Sequence, residues 1–102
     1  FIDTVQKPGI TPEDGRTNID IGGPCMLRAS AKNYLRVCSV CDPDDYAALL
    51  SELKTNRGKI SLKTRYGLAK KSFKHTAAYD AAISQYFESV DFETIASTYT
   101  MQ

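Results

Sequence analysis

From Ser61 to Phe87 the chain carries one helical period longer than any other pattern in it. Leu62, Tyr66, Ala69, Phe73, Thr76, Ala77, Ile83 and Phe87 fall within a single stripe, and Ser61 reads as the cap that starts the helix. A sequence of 102 residues has room for one domain, so a helix of this length dominates whatever it builds. Asp80 lies inside the stripe, where an acid requires a partner or a break in the helix. His75, the single histidine, falls away from the stripe by helical phase and reads as a surface or interface residue, not a catalytic base.

The remaining pattern is organised around this helix. Phe1 to Ile10 is an entry segment containing Pro8-Gly9, and Thr11-Pro12-Glu13-Asp14 reads as a capped helix start. Gly15, Thr17 and Asn18 make that helix short and weak. A second helix is expected from Pro24 to about Asn33. Its apolar residues Met26, Leu27, Ala29 and Ala31 nearly encircle it, so it should be largely buried. The residue types of Arg36 to Cys41 favour a buried strand, which must pair with another segment or another chain because a lone strand cannot satisfy its own ladder. Asp42 is placed as an N-cap, with Pro43, Asp44 and Asp45 in the first turn. Tyr46, Leu49, Leu50 and Leu53 then give an amphipathic helix stopped near Asn56 and Gly58. Phe92 to Gln102 is rich in Ser and Thr, without a clear period, and is left unassigned.

The chemistry concentrates between Asn18 and Asn33. Asp20 precedes Gly22-Gly23, whose tolerance of positive φ suits a tight turn and close approach of backbone to a ligand. Pro24 suits the first helical position. The opening N–H groups of such a helix favour negative or electron-rich groups. Arg28 and Lys32 lie four apart on one face, where like charges repel unless something anionic offsets them. The competing reading is a surface helix with two solvated cations, Lys32 being favourably placed near the helix C-terminus.

Composition narrows the classes. A hydrophobic content of 42% with 25% charged residues is that of an ordinary soluble globular chain. No apolar run approaches a membrane span, and no charged-then-apolar leader opens the sequence. The net charge of +1 gives no reason to expect a nucleic-acid or membrane surface. Between Leu53 and Tyr79 stand eight basic residues and no acidic one: Lys54, Arg57, Lys59, Lys63, Arg65, Lys70, Lys71 and Lys74. Its two aromatic residues, Tyr66 and Phe73, belong to the apolar stripe, and acids elsewhere cancel the charge, so this stretch reads as a solvated or subunit-facing surface. Cys38 and Cys41 form a lone CxxC, and with Cys25 the cysteines are odd in number. A zinc site wants a second pair or histidines at ligand spacing, so no metal is expected and the cysteines read as buried and structural.

Asn-Ile-Asp-Ile-Gly-Gly-Pro at 18 to 24, Arg-Ala-Ser-Ala-Lys-Asn at 28 to 33, Cys-Asp-Pro-Asp-Asp-Tyr at 41 to 46 and His-Thr-Ala-Ala-Tyr-Asp-Ala-Ala-Ile-Ser at 75 to 84 stand in an order and spacing that resemble one family. It is the bifunctional AICAR transformylase/IMP cyclohydrolase family of purine biosynthesis. The match is to the second half of its N-terminal cyclohydrolase domain, over residues 1-88, with 89-102 as tail or linker. Gly15, Thr17 and Asn18 depart from the better helix formers usual there, and Lys70 replaces a residue usually apolar.

The resemblance implies an α/β fold: a helix-rich fragment, with about four helices and one or two strands, of a three-layer parallel-sheet domain. It implies dehydrative closure of 5-formamidoimidazole-4-carboxamide ribotide (FAICAR) to inosine monophosphate (IMP). Lys32 corresponds to the family lysine that donates and accepts a proton. Asp20 and Ile21 correspond to residues at the base end of the nucleotide, and Asp20, Gly22 and Gly23 are candidates to orient or polarise the substrate. No cofactor is expected for this step, 10-formyltetrahydrofolate serving the transformylase domain that follows in the family. The expected partners are the missing N-terminal half of the domain, which carries the phosphate loops, and a second copy in a cytoplasmic homodimer. On this reading the chain is a fragment, a processed piece or half of a split domain. A non-catalytic assembly module of the same ancestry, or a small nucleic-acid-binding domain using the basic stretch, are the alternatives.

Overall fold

The computed structural model describes residues 1, 5–6 and 9–99. Pro8 of the entry segment and residues 100–102 of the tail lie outside the described residues. Among those described, five α-helices are bounded: α1 (Pro12–Thr17), α2 (Gly22–Lys32), α3 (Tyr46–Thr55), α4 (Leu62–Ser89) and α5 (Phe92–Thr98), with a 3-10 turn at Pro43–Asp45 before α3. Four occupy the places the sequence assigns to helices, and α5 falls in the tail that carried no period. No strand is found among the described residues. The chain divides into two compact units, one built from residues up to Ile21 and from Ala78 onward, the other from Gly22–Ala77.

In the first unit, α1 is held by a capping box. The Thr11 hydroxyl accepts the Asp14 N–H at 3.2 Å, and the Asp14 carboxylate accepts the Thr11 N–H at 3.0 Å. Gly15 is buried, and its bare Cα receives the ring of Tyr86. The glycine that weakens α1 as a helix is therefore what lets α4 approach it. Phe1 packs edge-on against Tyr79 and Tyr86, with ring centroids 6.0 and 5.8 Å apart. Asp91 caps α5, accepting the Thr94 N–H at 2.8 Å. This cap, with Glu93 in the first turn, is a signal from which α5 could have been read despite its lack of a periodic stripe.

In the second unit, α2 starts at Gly22, two residues before the expected Pro24. It is not enveloped. Met26 is 75% exposed and Ala29 is exposed, while Ala31 is fully buried and Pro24, Leu27 and Tyr34 are half-buried. The covered side runs through 24, 27, 30, 31 and 34, and Met26 and Ala29 lie outside it. The expected strand at Arg36 to Cys41 is not formed. Asn33 to Arg36 closes a turn in which the Arg36 and Val37 N–H groups donate to the Asn33 carbonyl at 3.0 and 2.9 Å. Ser39 is then drawn inward. Its hydroxyl lies 2.8 Å from that of Ser30 on α2 and 3.2 Å from that of Ser72 on α4, so hydroxyls stand where a ladder would. With no second strand among the described residues, the segment has nothing to pair with.

The buried line of α4 is Leu68, Ala69, Ser72 and Thr76. It is rotated from the expected stripe, of which Leu62, Tyr66 and Phe87 are 49%, 47% and 54% exposed. Small hydroxyl residues sit innermost because the 37–41 segment crosses close at Ser72, whose hydroxyl reaches the Ser39 carbonyl at 3.5 Å. The buried Thr76 hydroxyl satisfies itself on the Phe73 carbonyl at 3.1 Å. Asp80 is exposed and α4 runs through it unbroken.

Asp42 caps the following turn as expected, but that turn, Pro43–Asp45, is 3-10 and α3 itself starts only at Tyr46, without a side-chain cap of its own. Asp42 accepts the Asp44 N–H at 2.9 Å, and Lys71 of α4 bridges Asp45 at 2.9 Å and Asp42 at 3.1 Å. The Asp44 N–H and then the Lys71 ammonium hold the Asp42 carboxyl below the usual carboxylate range, and the two acids raise Lys71.

α3 ends at Asn56 in a Schellman arrangement, the Gly58 N–H donating to the Leu53 carbonyl at 2.8 Å. The left-handed position is taken by Arg57, at φ 55°, where a Cβ is unfavourable. Arg57→Gly is expected to stabilise the chain by about 1 kcal/mol, read as a higher urea midpoint at unchanged slope.

Candidate functional site

The residues singled out between Asn18 and Lys32 divide between the two units. Asp20 and Ile21 close the first. Asn18 ends α1, its side-chain amide donating to the Asp14 carbonyl at 2.8 Å, and the Ile19 N–H reaches the Arg16 carbonyl at 3.3 Å. The backbone N–H of Asp20 donates to the phenol oxygen of Tyr79 on α4 at 2.8 Å. Asp20 is exposed, and Ile21 is 69% exposed. Tyr79 sits in the fourth sequence motif, yet residue-by-residue reasoning gave it no role. Only its place beside the aspartate's main chain reveals one.

Gly22, Gly23 and Lys32 belong to the second unit. The glycines are the first two residues of α2, and neither has positive φ; among described glycines only Gly9 and Gly58 do. The tight left-handed turn expected at Gly22-Gly23 is replaced by a helical first turn. A Cβ built on Gly22 meets nothing within 4 Å, so packing does not require a glycine there.

Lys32 is exposed and closes the same helix, about 15 Å along the axis from Gly22 at 1.5 Å per residue. α2 thus carries N–H groups at one end and an ammonium at the other. Arg28 does not share a free cationic face with Lys32: its guanidinium lies over the Phe73 ring, 5.4 Å from the centroid.

The other candidates resolve locally. Of the basic stretch, Lys71 is bridged to Asp42 and Asp45, Arg65 donates to the Leu35 carbonyl, and Lys70 lies over the Tyr66 ring at 5.0 Å. Lys54, Arg57, Lys59, Lys63 and Lys74 are exposed. Cys25, Cys38 and Cys41 are free thiols; Cys25 is exposed, not buried as expected, and burial pushes the Cys38 thiol up, away from reactivity. Among the described residues no group of three or more His, Cys, Asp or Glu side chains is placed to hold a metal, and no helix is long and apolar enough to cross a membrane.

A pocket of about 380 Å³ opens in the first unit, walled largely by Pro12, Tyr86, Phe87, Phe92, Ile95 and Tyr99. None of the sequence-derived site residues lines it. Its one cation, Arg16, is held by Glu13, with Nε donating at 3.0 Å, and the same carboxylate accepts the Tyr99 hydroxyl. These two hydrogen bonds, Arg16's first, hold the Glu13 carboxyl down to about 2. The arginine is thereby occupied, which makes the pocket a poor anion site.

Comparison with known proteins adds a separate line of observation. The family model described as "AICARFT/IMPCHase bienzyme" matches residues 30–102. A bifunctional purine biosynthesis protein PurH from Leptospira biflexa is 54% identical over 87 residues, covering 85% of this chain and 17% of that protein. The protein of the same name from Listeria welshimeri is 50% identical over 100 residues, 98% of this chain and 19% of that protein. The one from Neisseria meningitidis is 46% identical over 98 residues, 96% and 18% respectively. The chain spans about one fifth of the length of these relatives.

Proposed function

Because this chain belongs to the AICARFT/IMPCHase bienzyme family, we propose that it forms part of an IMP cyclohydrolase, the activity that closes FAICAR to IMP in purine biosynthesis. Family membership, which the relatives extend across both Asp20 and Lys32, carries the reading. In the reaction the carboxamide nitrogen attacks the formyl carbon of the same molecule, a C–N bond forms, and the formyl oxygen leaves as water. The amide is a weak nucleophile. The step therefore needs a held conformation, a proton acceptor at the nitrogen, and a donor or cation at the formyl oxygen.

Lys32 is assigned the proton donor and acceptor role. Asp20 orients the carboxamide or takes its proton, Ile21 contacts the base end, and the main chain at Gly22 and Gly23 polarises the substrate. Ile21 and Asp20 being exposed, and Gly22 facing open space, support these assignments. The step needs no cofactor; 10-formyltetrahydrofolate belongs to the transformylase half of the family. Further chain completes the site and covers apolar side chains such as Met26, Leu50 and Phe92, which are 75%, 57% and 77% exposed. We place that chain in the N-terminal half of the domain and in a homodimer mate, in the cytoplasm.

The test is a graft. Residues 1–102 replace the matching stretch of a full-length relative, and IMP formation from synthetic FAICAR is followed by chromatography. Turnover within about tenfold of the parent, a barrier change of about 1.4 kcal/mol, is expected. A graft that folds and assembles like the parent but forms no IMP would overturn the reading in favour of a non-catalytic assembly module.

A further inference from the structure

We propose that Tyr79 is a positioning residue for the proposed cyclohydrolase site, tethering the main chain of Asp20 so that its carboxylate is presented in one place; the inference rests on the role given to Asp20 above. The phenol oxygen accepts the Asp20 N–H at 2.8 Å across 59 residues of sequence. Tyr79 is itself fixed. It lies inside the 28-residue α4, is half-buried, and packs edge-on against Phe1 at 6.0 Å and 62°. The neighbouring contact of the segment, from the Ile19 N–H to Arg16, is longer at 3.3 Å. The four-residue connection between α1 and α2, exposed except at Ile19, thus takes an anchor from α4.

The tether engages the amide and not the carboxylate, so it sets where Asp20 stands without altering what its side chain does. Loss of the phenol oxygen should loosen the geometry that productive binding requires while leaving the proton chemistry in place.

Tyr79→Phe keeps the ring on Phe1 and removes only the acceptor. In the chain itself, amide exchange at Asp20 should become about fivefold faster, the equivalent of one ordinary hydrogen bond. In the graft, KM for FAICAR should rise about fivefold, with the pH profile of turnover unchanged. A merely structural role would instead lower the folded fraction, reducing kcat at unchanged KM. Tyr86→Phe, which trims a neighbouring ring not bonded to Asp20, serves as the matched control and should leave KM alone.

Unchanged Asp20 exchange in Tyr79→Phe overturns the tether. So does an unchanged KM in a graft that Asp20→Asn disables. Full turnover in Asp20→Asn would remove the role of Asp20, and this inference with it, whatever the exchange data show.

Discussion

Lys32→Ala in the grafted enzyme should lower IMP formation at least about a hundredfold, the scale of losing a proton-transferring group from a transition state. The structure makes this a clean experiment. Lys32 is exposed at the last residue of α2, and alanine is the stronger helix former, so folding should be undisturbed and the loss should appear in kcat. Lys32→Arg separates two ways in which a lysine acts. The guanidinium keeps the positive charge but does not release its proton at working pH. Proton transfer by Lys32 therefore requires the arginine variant to be nearly as slow as the alanine one, whereas purely electrostatic stabilisation would leave it active. Wild-type turnover in Lys32→Ala would remove the residue from the mechanism.

Gly15→Ala should be the most damaging small substitution in the first unit. A Cβ there would stand 2.6 Å from Cε2 of Tyr86, well inside contact distance. The ring has little room to yield, because Phe1 meets it edge-on at 5.8 Å and 90° and Phe87 lies 6.0 Å away. Overpacking of this kind costs about 1–3 kcal/mol, which outweighs the helix propensity gained. For a domain of this size each 1 kcal/mol lowers Tm by roughly 4–8 °C. Adding Tyr86→Leu should recover part of the loss. Equal stability of Gly15→Ala and wild type by thermal melting would show that α1 moves away from α4 freely.

Helix starts were legible in the sequence because they are short-range devices. Thr11 with Asp14 and Asp42 with Asp44 form the hydrogen bonds their spacing suggests. The same reasoning applied to Asp91 would have found α5, which lacks only an apolar stripe. The expected strand rested on residue type alone between Arg36 and Cys41, and residue type cannot supply a partner strand. What decides that segment is Ser39 meeting Ser30 and Ser72, nine and 33 residues away, a contact without local signature.

The rotation of the α4 stripe has a similar cause. Aromatic rings weigh heavily in a periodicity, but Tyr66 and Phe73 lie at the flank under Lys70 and Arg28, while serine and threonine take the crowded line. At the candidate site, the motif at 18 to 33 gave the residues but not their conformation. Glycines chosen for positive φ turned out to be ordinary helix, and the residue that fixes Asp20 lies 59 positions downstream.

The division of the chain has a consequence for how it comes to be folded. Gly22–Ala77 is contiguous, so its contacts, such as Ser39 with Ser72 over 33 residues, close over shorter loops and are available as soon as that stretch exists. The other unit joins the two extremes of the sequence, with Asp20 meeting Tyr79 over 59 residues and Glu13 meeting Tyr99 over 86. Closing loops of that length is slow and is repaid late. During synthesis, residues 1–21 wait for the stretch from Ala78 onward to emerge. The proposed catalytic aspartate therefore acquires its place near the end of folding, and the unit that holds it should be the first to open in hydrogen exchange and the last to close.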